Sequence, residues 1–305
     1  MTQMIDETFQ AALVSRAMQV EGMLDGLLGM TPAQGEISRP PELMRAIRHG
    51  VLNGGKRLRP FLVLESAGLF DADGEAALRV AAALECVHCY SLVHDDLPAM
   101  DDDDLRRGQP TVHRAFDEAT AILAGDSLLT FAFDIIADTA TELSAEARAN
   151  LVLALARAAG MGGMAGGQAL DLAAERGKPD EAGIITLQAM KTGALIRFAC
   201  EAGAIVGDAT PEQRLTLAEF GSAIGLAFQL ADDLLDVTSN AATLGKAAGK
   251  DGDAGKATLV GLHGVEWTKK QLEGLVMQAE DLLSPFGPQA TMLRQAARFV
   301  ATRSF

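Results

Sequence analysis

The chain is poor in cysteine, in aromatic residues and in positive charge. Three cysteines, one tryptophan and one tyrosine occur in 305 residues, and aromatic residues make up only 5%. An odd cysteine count argues against a disulfide framework. The shortage of aromatic and alternating β-branched runs argues against a sheet protein. Basic residues number 26 against 41 acidic ones, a net charge of −15, which disfavours a broad surface for neutralising a nucleic-acid backbone. Long uncharged runs are missing too. The longest, Ala158 to Leu170, falls short of the ~18 apolar residues that read as a membrane span. The first ten residues, MTQMIDETFQ, carry acidic residues where a secretory leader carries Lys or Arg. The expectation is a soluble, cytoplasmic chain with no membrane span and no nucleic-acid partner.

What is present is helical pattern, almost end to end. The apolar fraction is 49%, too high for disorder, and the apolar positions follow a helical period interrupted by short punctuation. Pro40-Pro41 opens one segment and Gly54-Gly55 closes it. Asp71-Ala-Asp-Gly74 reads as a helix-joining turn, its glycine two positions too early for an EF-hand. Thr210-Pro211-Glu212-Gln213 has the cap, first-turn proline and reciprocal Gln of a capping box, and starts a helix expected to reach about Asp236. Neither a repeat nor a linker divides the chain, so a single all-α domain over 1–305, a bundle of about a dozen helices around a central cavity, is expected. Segments 78–94 and 219–231 are apolar on nearly every side and belong at its centre. Cys86-Val-His-Cys89 lies in the first of these and reads as buried thiols, since no second pair stands at structural-zinc spacing.

Two aspartate clusters carry the chemistry. Asp95-Asp96-Leu-Pro-Ala-Met-Asp101-Asp102-Asp103-Asp104 and Asp232-Asp233-Leu-Leu-Asp236 each end a strongly apolar helix, where the helix dipole is unfavourable to anions. Crowded carboxylates repel one another unless protonated or bridged by cations. An all-oxygen donor set suits Mg²⁺, which takes one or two carboxylates and fills its shell with water and phosphate oxygens. The spacing of Asp232 and Asp236 puts both on one helix face, and Pro98 is expected to break the first helix so that Asp101 returns toward Asp95. Cationic arms accompany them: Lys56, Arg57 and Arg59 in a glycine-rich junction, Arg106-Arg107, Lys191 in a helix that Gly193 is expected to bend, and Lys246, Lys250 and Lys256. The P-loop spacing at 50–56 fails as a nucleotide site because Arg57 replaces the Mg²⁺-binding Ser/Thr.

The combination resembles the trans-isoprenyl diphosphate synthases, most closely the bacterial-type farnesyl diphosphate synthases. The similarity runs from GGKRLRP at 54–60 through YSLVHDDLPAMDDDDLRRGQPTVH at 90–113, ILAGD at 122–126, GGQALDL at 166–172 and FQLADDLLDVT at 228–238 to KDGDAGKAT at 250–258. The resemblance implies an all-α homodimer that condenses an allylic diphosphate with isopentenyl diphosphate, using about three Mg²⁺ ions. It implies Asp95, Asp101 and Asp232 as metal ligands, supported by Asp96, Asp233 and Asp236. Arg106, Lys191, Lys246 and Gln229 would hold the allylic diphosphate, and Lys56, Arg59, His88 and Arg107 the isopentenyl diphosphate. Lys191, Thr192 and Gln229 would lie by the developing cation, and Lys256 would add a phosphate contact. His88 reads either as a phosphate donor or as a core histidine.

Tyr90, with Ser91 beside it, stands where the family sets product length, five residues before Asp95 and about 7.5 Å up the helix axis. A bulky residue there implies growth stopped at fifteen carbons, with plain packing as the alternative. Rival readings are a geranylgeranyl diphosphate synthase, a terpene cyclase, whose second metal motif would not read DDLLD, and a non-enzymatic cation binder, which leaves the basic arms unexplained. After Lys256 the chain reads Ala-Thr-Leu-Val where the family favours Thr-Tyr-Pro. Whether Arg303 reaches the site is open at this level.

Overall fold

The structure is a computed structural model that describes residues 7–72, 74–174, 177, 179–244 and 258–302, with the backbone alone over 238–244. Its helices are α1 (Glu7–Leu27), α2 (Pro41–Val51), α3 (Leu58–Gly68), α4 (Glu75–Asp95), α5 (Val112–Ala115), α6 (Glu118–Ala137), α7 (Ala145–Ala159), α8 (Met164–Ala174), α9 (Glu181–Gln188), α10 (Ala194–Val206), α11 (Pro211–Leu244), α12 (Leu259–His263), α13 (Val265–Leu282) and α14 (Thr291–Thr302). Strands β1 (Leu105–Arg106) and β2 (Gln109–Pro110) form a hairpin with Leu105 opposite Pro110. The fold is all-α, as the composition implies.

Helix α4 is the axis of the bundle. Val80 through Cys86 are buried without interruption, because α1, α2, α3, α6 and α10 enclose it on several sides. By length and composition α4 and α6 are both apolar enough to cross a bilayer. The enclosure of α4 shows what its apolarity serves here. Cys86, Cys89 and Cys200 are all buried and unbridged, and burial pushes the Cys89 and Cys200 thiols up to about 12. The burial of Cys86 and Cys89 agrees with the reading of CVHC as buried thiols.

Local chemistry sets the helix starts. Thr210 N–H donates to Gln213 Oε1 at 3.0 Å and Gln213 N–H to Thr210 Oγ1 at 3.3 Å, a reciprocal capping box at the head of α11. Asp180 Oδ1 accepts from Gly183 N–H at the head of α9, and Pro41 occupies the first turn of α2. Helix α11 runs on to Leu244, beyond the expected end at Asp236. The sequence after Asp236 offers neither Gly nor Pro before Gly245, so nothing stops the helix earlier.

Helix α10 joins α9 through a π-helical turn, Ala189–Gly193, with no break between them. The anticipated glycine bend is therefore a widening of the helix instead. Gly193 keeps ordinary helical angles, φ −67° and ψ −36°, and the extra residue is absorbed by the wider turn.

Candidate active site

The π turn is linked to both aspartate clusters. Its Lys191 Nζ donates to Asp171 Oδ2 at 2.5 Å, and its positive charge acts on Asp95. Next along the turn, Thr192 Oγ1 donates to Gln229 Oε1 at 3.0 Å. Gln229 Nε2 in turn donates to Asp233 Oδ1 at 3.0 Å, and Gln188 Nε2 reaches Asp233 Oδ2 at 2.8 Å. Of two adjacent side chains, one thus acts by its charge on the end of α4 and the other bonds to the middle of α11. Close packing fixes the turn: a Cβ on Gly167 of α8 would lie 2.2 Å from Lys191 N and 2.6 Å from its Cα, so only glycine lets α8 come this near.

At the first cluster α4 ends at Asp95, before Pro98. The chain doubles back, with Asp101 N–H donating to the Asp95 carbonyl at 2.8 Å and Asp102 N–H to that of Leu97 at 3.1 Å. The anticipated return of Asp101 to Asp95 is present in the backbone. Burial raises the Asp95 carboxyl to about 6, and the neighbouring Asp101 and Asp96 add to the shift, against the opposing pull of Lys191 and Arg106. Asp96 is buried and already committed. Arg106 Nε donates to its Oδ1 at 2.9 Å, and the same guanidinium holds Asp103 at 3.0 Å. Asp96 therefore supports the cluster through Arg106.

In the second cluster Asp233 is buried and raised by that burial, against the hydrogen bonds from Gln229 and Gln188. Asp232 is half-buried and Asp236 exposed. The donors are carboxylates alone, crowded and partly desolvated, which suits a hard divalent cation. Among the described residues, no three of them are placed together to hold a metal ion.

The basic arms stand in two groups. Arg107, in the β1–β2 turn, donates through Nη1 to Asn53 Oδ1 at 2.9 Å and also to the Gly54 carbonyl. Gly55 (φ 122°) leaves room for it, since a Cβ there would lie 2.6 Å from the Arg107 guanidinium carbon. Arg59 Nη1 lies 3.4 Å from His88 Nε2. Burial, with Arg59 as the nearest of several guanidinium groups, holds His88 well below its usual value. His88 is thus a neutral ring whose Nε2 accepts from Arg59. Lys56 Nζ sits 5.2 Å from the centre of the Phe299 ring. Arg57 faces inward, paired with Glu85 and with the Val51 carbonyl. Lys246, Lys250, Lys256 and Arg303 lie outside the described residues.

Asp95 and Lys191 line a cavity of about 450 Å³ between α4 and α8, walled also by Tyr90, Ser91, Met100, Met164 and Leu172. Tyr90 packs edge-on against His94, ring centres 5.8 Å apart. Three polar residues of this site carry no role in the sequence reading: Asp171, which holds Lys191; Gln188, which holds Asp233; and Gln168, which lines the same cavity and whose amide N and O are buried with no hydrogen-bond partner among the described residues. Gln168 and Asp171 sit three apart in GGQALDL, and that spacing on a helix was the available signal.

The helical architecture and the paired aspartate clusters define a class. Residues 40–282 match the family described as Polyprenyl synthetase, and the chain belongs to that family. It is 46% identical over 250 residues to the farnesyl diphosphate synthase of Escherichia coli strain K12, covering 81% of this chain and 84% of that protein. It is 40% identical over 300 residues to geranylgeranyl pyrophosphate synthase 3, chloroplastic, of Arabidopsis thaliana, covering 97% of this chain and 81% of that one. The apo crystal structure of an FPP/GFPP synthase from Zymomonas mobilis superposes with a TM-score of 0.85 at 43% identity, covering 96% of this chain and 99% of that one.

Proposed function

We propose that the chain is a trans-isoprenyl diphosphate synthase that elongates dimethylallyl and geranyl diphosphates with isopentenyl diphosphate and stops at farnesyl diphosphate. The observation that carries this reading is the cavity that Asp95, Lys191 and Tyr90 line together. The allylic diphosphate lies between the clusters, with Asp95, Asp101 and Asp232 as ligands of Mg²⁺. When bound, Mg²⁺ supplies positive charge against the oxygens of the departing diphosphate. Lys191, steadied by Asp171, adds a fixed cation at the same place. The C–O bond of the allylic substrate breaks with its electron pair leaving on the diphosphate. The Thr192 and Gln229 oxygens face the resulting carbocation, and the apolar walls exclude water from it. Isopentenyl diphosphate, held by Lys56, Arg59 and Arg107 with His88 orienting Arg59, attacks through its double bond. The proton then lost goes to the released diphosphate, so no protein base is required.

The similarity to a geranylgeranyl synthase supports a second reading, a C20 product, to which the small Ser91 beside Tyr90 would contribute. Exposed Ile122 and Leu123 on α6, on an otherwise apolar helix, support the homodimer, and 1–305 is taken as one synthase domain working in the cytoplasm. The test is incubation of the chain with dimethylallyl and isopentenyl diphosphates and Mg²⁺, with products resolved by carbon number. Fifteen-carbon product supports the assignment. Accumulation of twenty-carbon product overturns the chain-length part, and absence of any condensation overturns the whole.

A further inference from the structure

On the far side of the π turn from the catalytic cavity lies a second and larger cleft, about 660 Å³, bounded by α7, α9, α10, α11 and the turn itself. Its size is within the ~300–1,000 Å³ of small-molecule sites. Leu153, Ile185, Phe198 and Leu226 give it apolar walls.

Its charge is opposite to that of the protein. In a chain of net −15, three arginines, Arg157, Arg197 and Arg214, line this cleft, and Glu201 is its one carboxylate. Both oxygens of Glu201 are taken: Arg214 donates to Oε1 through Nε at 3.0 Å and Nη2 at 2.7 Å, and Arg197 lies 3.5 Å from Oε2. Each guanidinium has five N–H donors, so donors remain after Glu201 is satisfied. Arg157 is exposed and, among the described residues, has no ion pair. Excess guanidinium beside desolvated hydrocarbon suits a ligand with an oxyanion head and an apolar tail.

The wall shared with the catalytic cavity gives the cleft a consequence. Met190 and Gly193 of the π turn line the cleft, while Lys191 and Thr192 between them line the catalytic cavity. Whatever fills the cleft packs against the same five-residue turn that presents the two catalytic side chains.

We propose that this cleft is an effector site for an anionic amphiphile, and that its occupancy is felt at Lys191 and Thr192. The site is separate from the substrate site, and its binding does not depend on the catalytic reading above.

The test is titration calorimetry of the full chain with dodecyl phosphate below its micellar concentration, the catalytic site being saturated with a bisphosphonate and Mg²⁺. Laurate, inorganic phosphate and dodecanol serve as separate arms. One dodecyl phosphate per chain is expected, with inorganic phosphate and dodecanol each at least tenfold weaker, and laurate decides between a phosphate and a carboxylate head. Arg157→Glu, a change at an exposed side chain, is expected to weaken binding about tenfold, and Ala154→Phe to block it by filling the cleft. By linkage, bisphosphonate affinity is expected to change about threefold or more when the cleft is filled. Loss of dodecyl phosphate binding on adding bisphosphonate, or undiminished binding by both variants, overturns the site. Failure to bind, with 150–157 protected from hydrogen exchange in the free protein, means a second copy covers the cleft and also overturns it. Binding that leaves bisphosphonate affinity unchanged overturns the coupling.

Discussion

Gly167→Ala tests how tightly the π turn is held. The added methyl would stand 2.2 Å from Lys191 N, 2.6 Å from Lys191 Cα and 2.8 Å from the Met190 carbonyl carbon. Non-bonded carbon contacts rest near ~3.5–4.0 Å, so the backbone of the turn must recede by roughly 1 Å or α8 must shift by as much. All three contacts are to backbone, which cannot rotate away as a side-chain end can. Misplacing a catalytic group by ~1 Å costs on the order of 10²-fold in rate, and overpacking costs about 1–3 kcal/mol of stability. The expected outcome is a folded protein with a lowered urea midpoint and a condensation kcat reduced about a hundredfold by the misplacement of Lys191 and Thr192. Gly22→Ala on α1 is the control, since nothing lies within 4 Å of its added methyl. It is expected to leave kcat unchanged and to add about 0.5–1 kcal/mol of stability. A Gly167→Ala enzyme that folds and keeps kcat within a few-fold of the native value refutes the claim that this contact positions Lys191.

Three further outcomes are expected. Tyr90→Ala should move the product spectrum to longer prenyl chains with the first condensation intact, and unchanged chain lengths would remove Tyr90 from the account. Asp95 without metal has its carboxyl raised from 3.8 to about 6, so the folded state holds this proton more tightly than the unfolded chain does. Its stabilising contribution is complete below the unfolded value and is lost as pH rises through about 6. Mg²⁺ competes with that proton, so the thermal stabilisation given by Mg²⁺ plus a bisphosphonate should be larger at about pH 7 than at about pH 5. Asp95→Asn should flatten the metal-free profile; a profile unchanged by this variant would refute the assignment. Arg57→Ala strands the buried Glu85 carboxylate, and about 3–5 kcal/mol should be lost in urea denaturation. Arg57→Met with Glu85→Leu should lose far less, and equal losses in the two variants would contradict the pairing.

The fold class was legible because helical periodicity and cap chemistry are local properties. The reciprocal bonds of Thr210 and Gln213 follow directly from their spacing. The first aspartate cluster was legible for a different reason: carboxylates at the end of an apolar helix stand where the helix dipole is unfavourable to them, whereas Asp232, Asp233 and Asp236 lie within α11, which continues to Leu244, and only their spacing marks them. The π turn left no such mark. Lys191-Thr192-Gly193 has the composition of ordinary helix, and the widening arises from tertiary packing against Gly167. Asp171 and Gln188 are single polar residues on helices, indistinguishable by pattern from solvated ones. Their roles come from partners 20 and 45 residues away. The commitment of Arg106 to Asp96 likewise depends on the hairpin geometry, and a two-residue strand gives too short a pattern to read.

That hairpin turns on Arg107 and Gly108, both with positive φ, 53° and 75°. It sends two consecutive guanidinium groups to different destinations, Arg106 to the carboxylates of Asp96 and Asp103 and Arg107 to Asn53 and the Gly54 carbonyl. Under the proposed function, neighbours in sequence thus become sentries for separate compartments, one posted beside the leaving group and one beside the incoming substrate. An enzyme of that kind, which must admit two polyanions without confusing them, would draw the border between them through a single peptide bond.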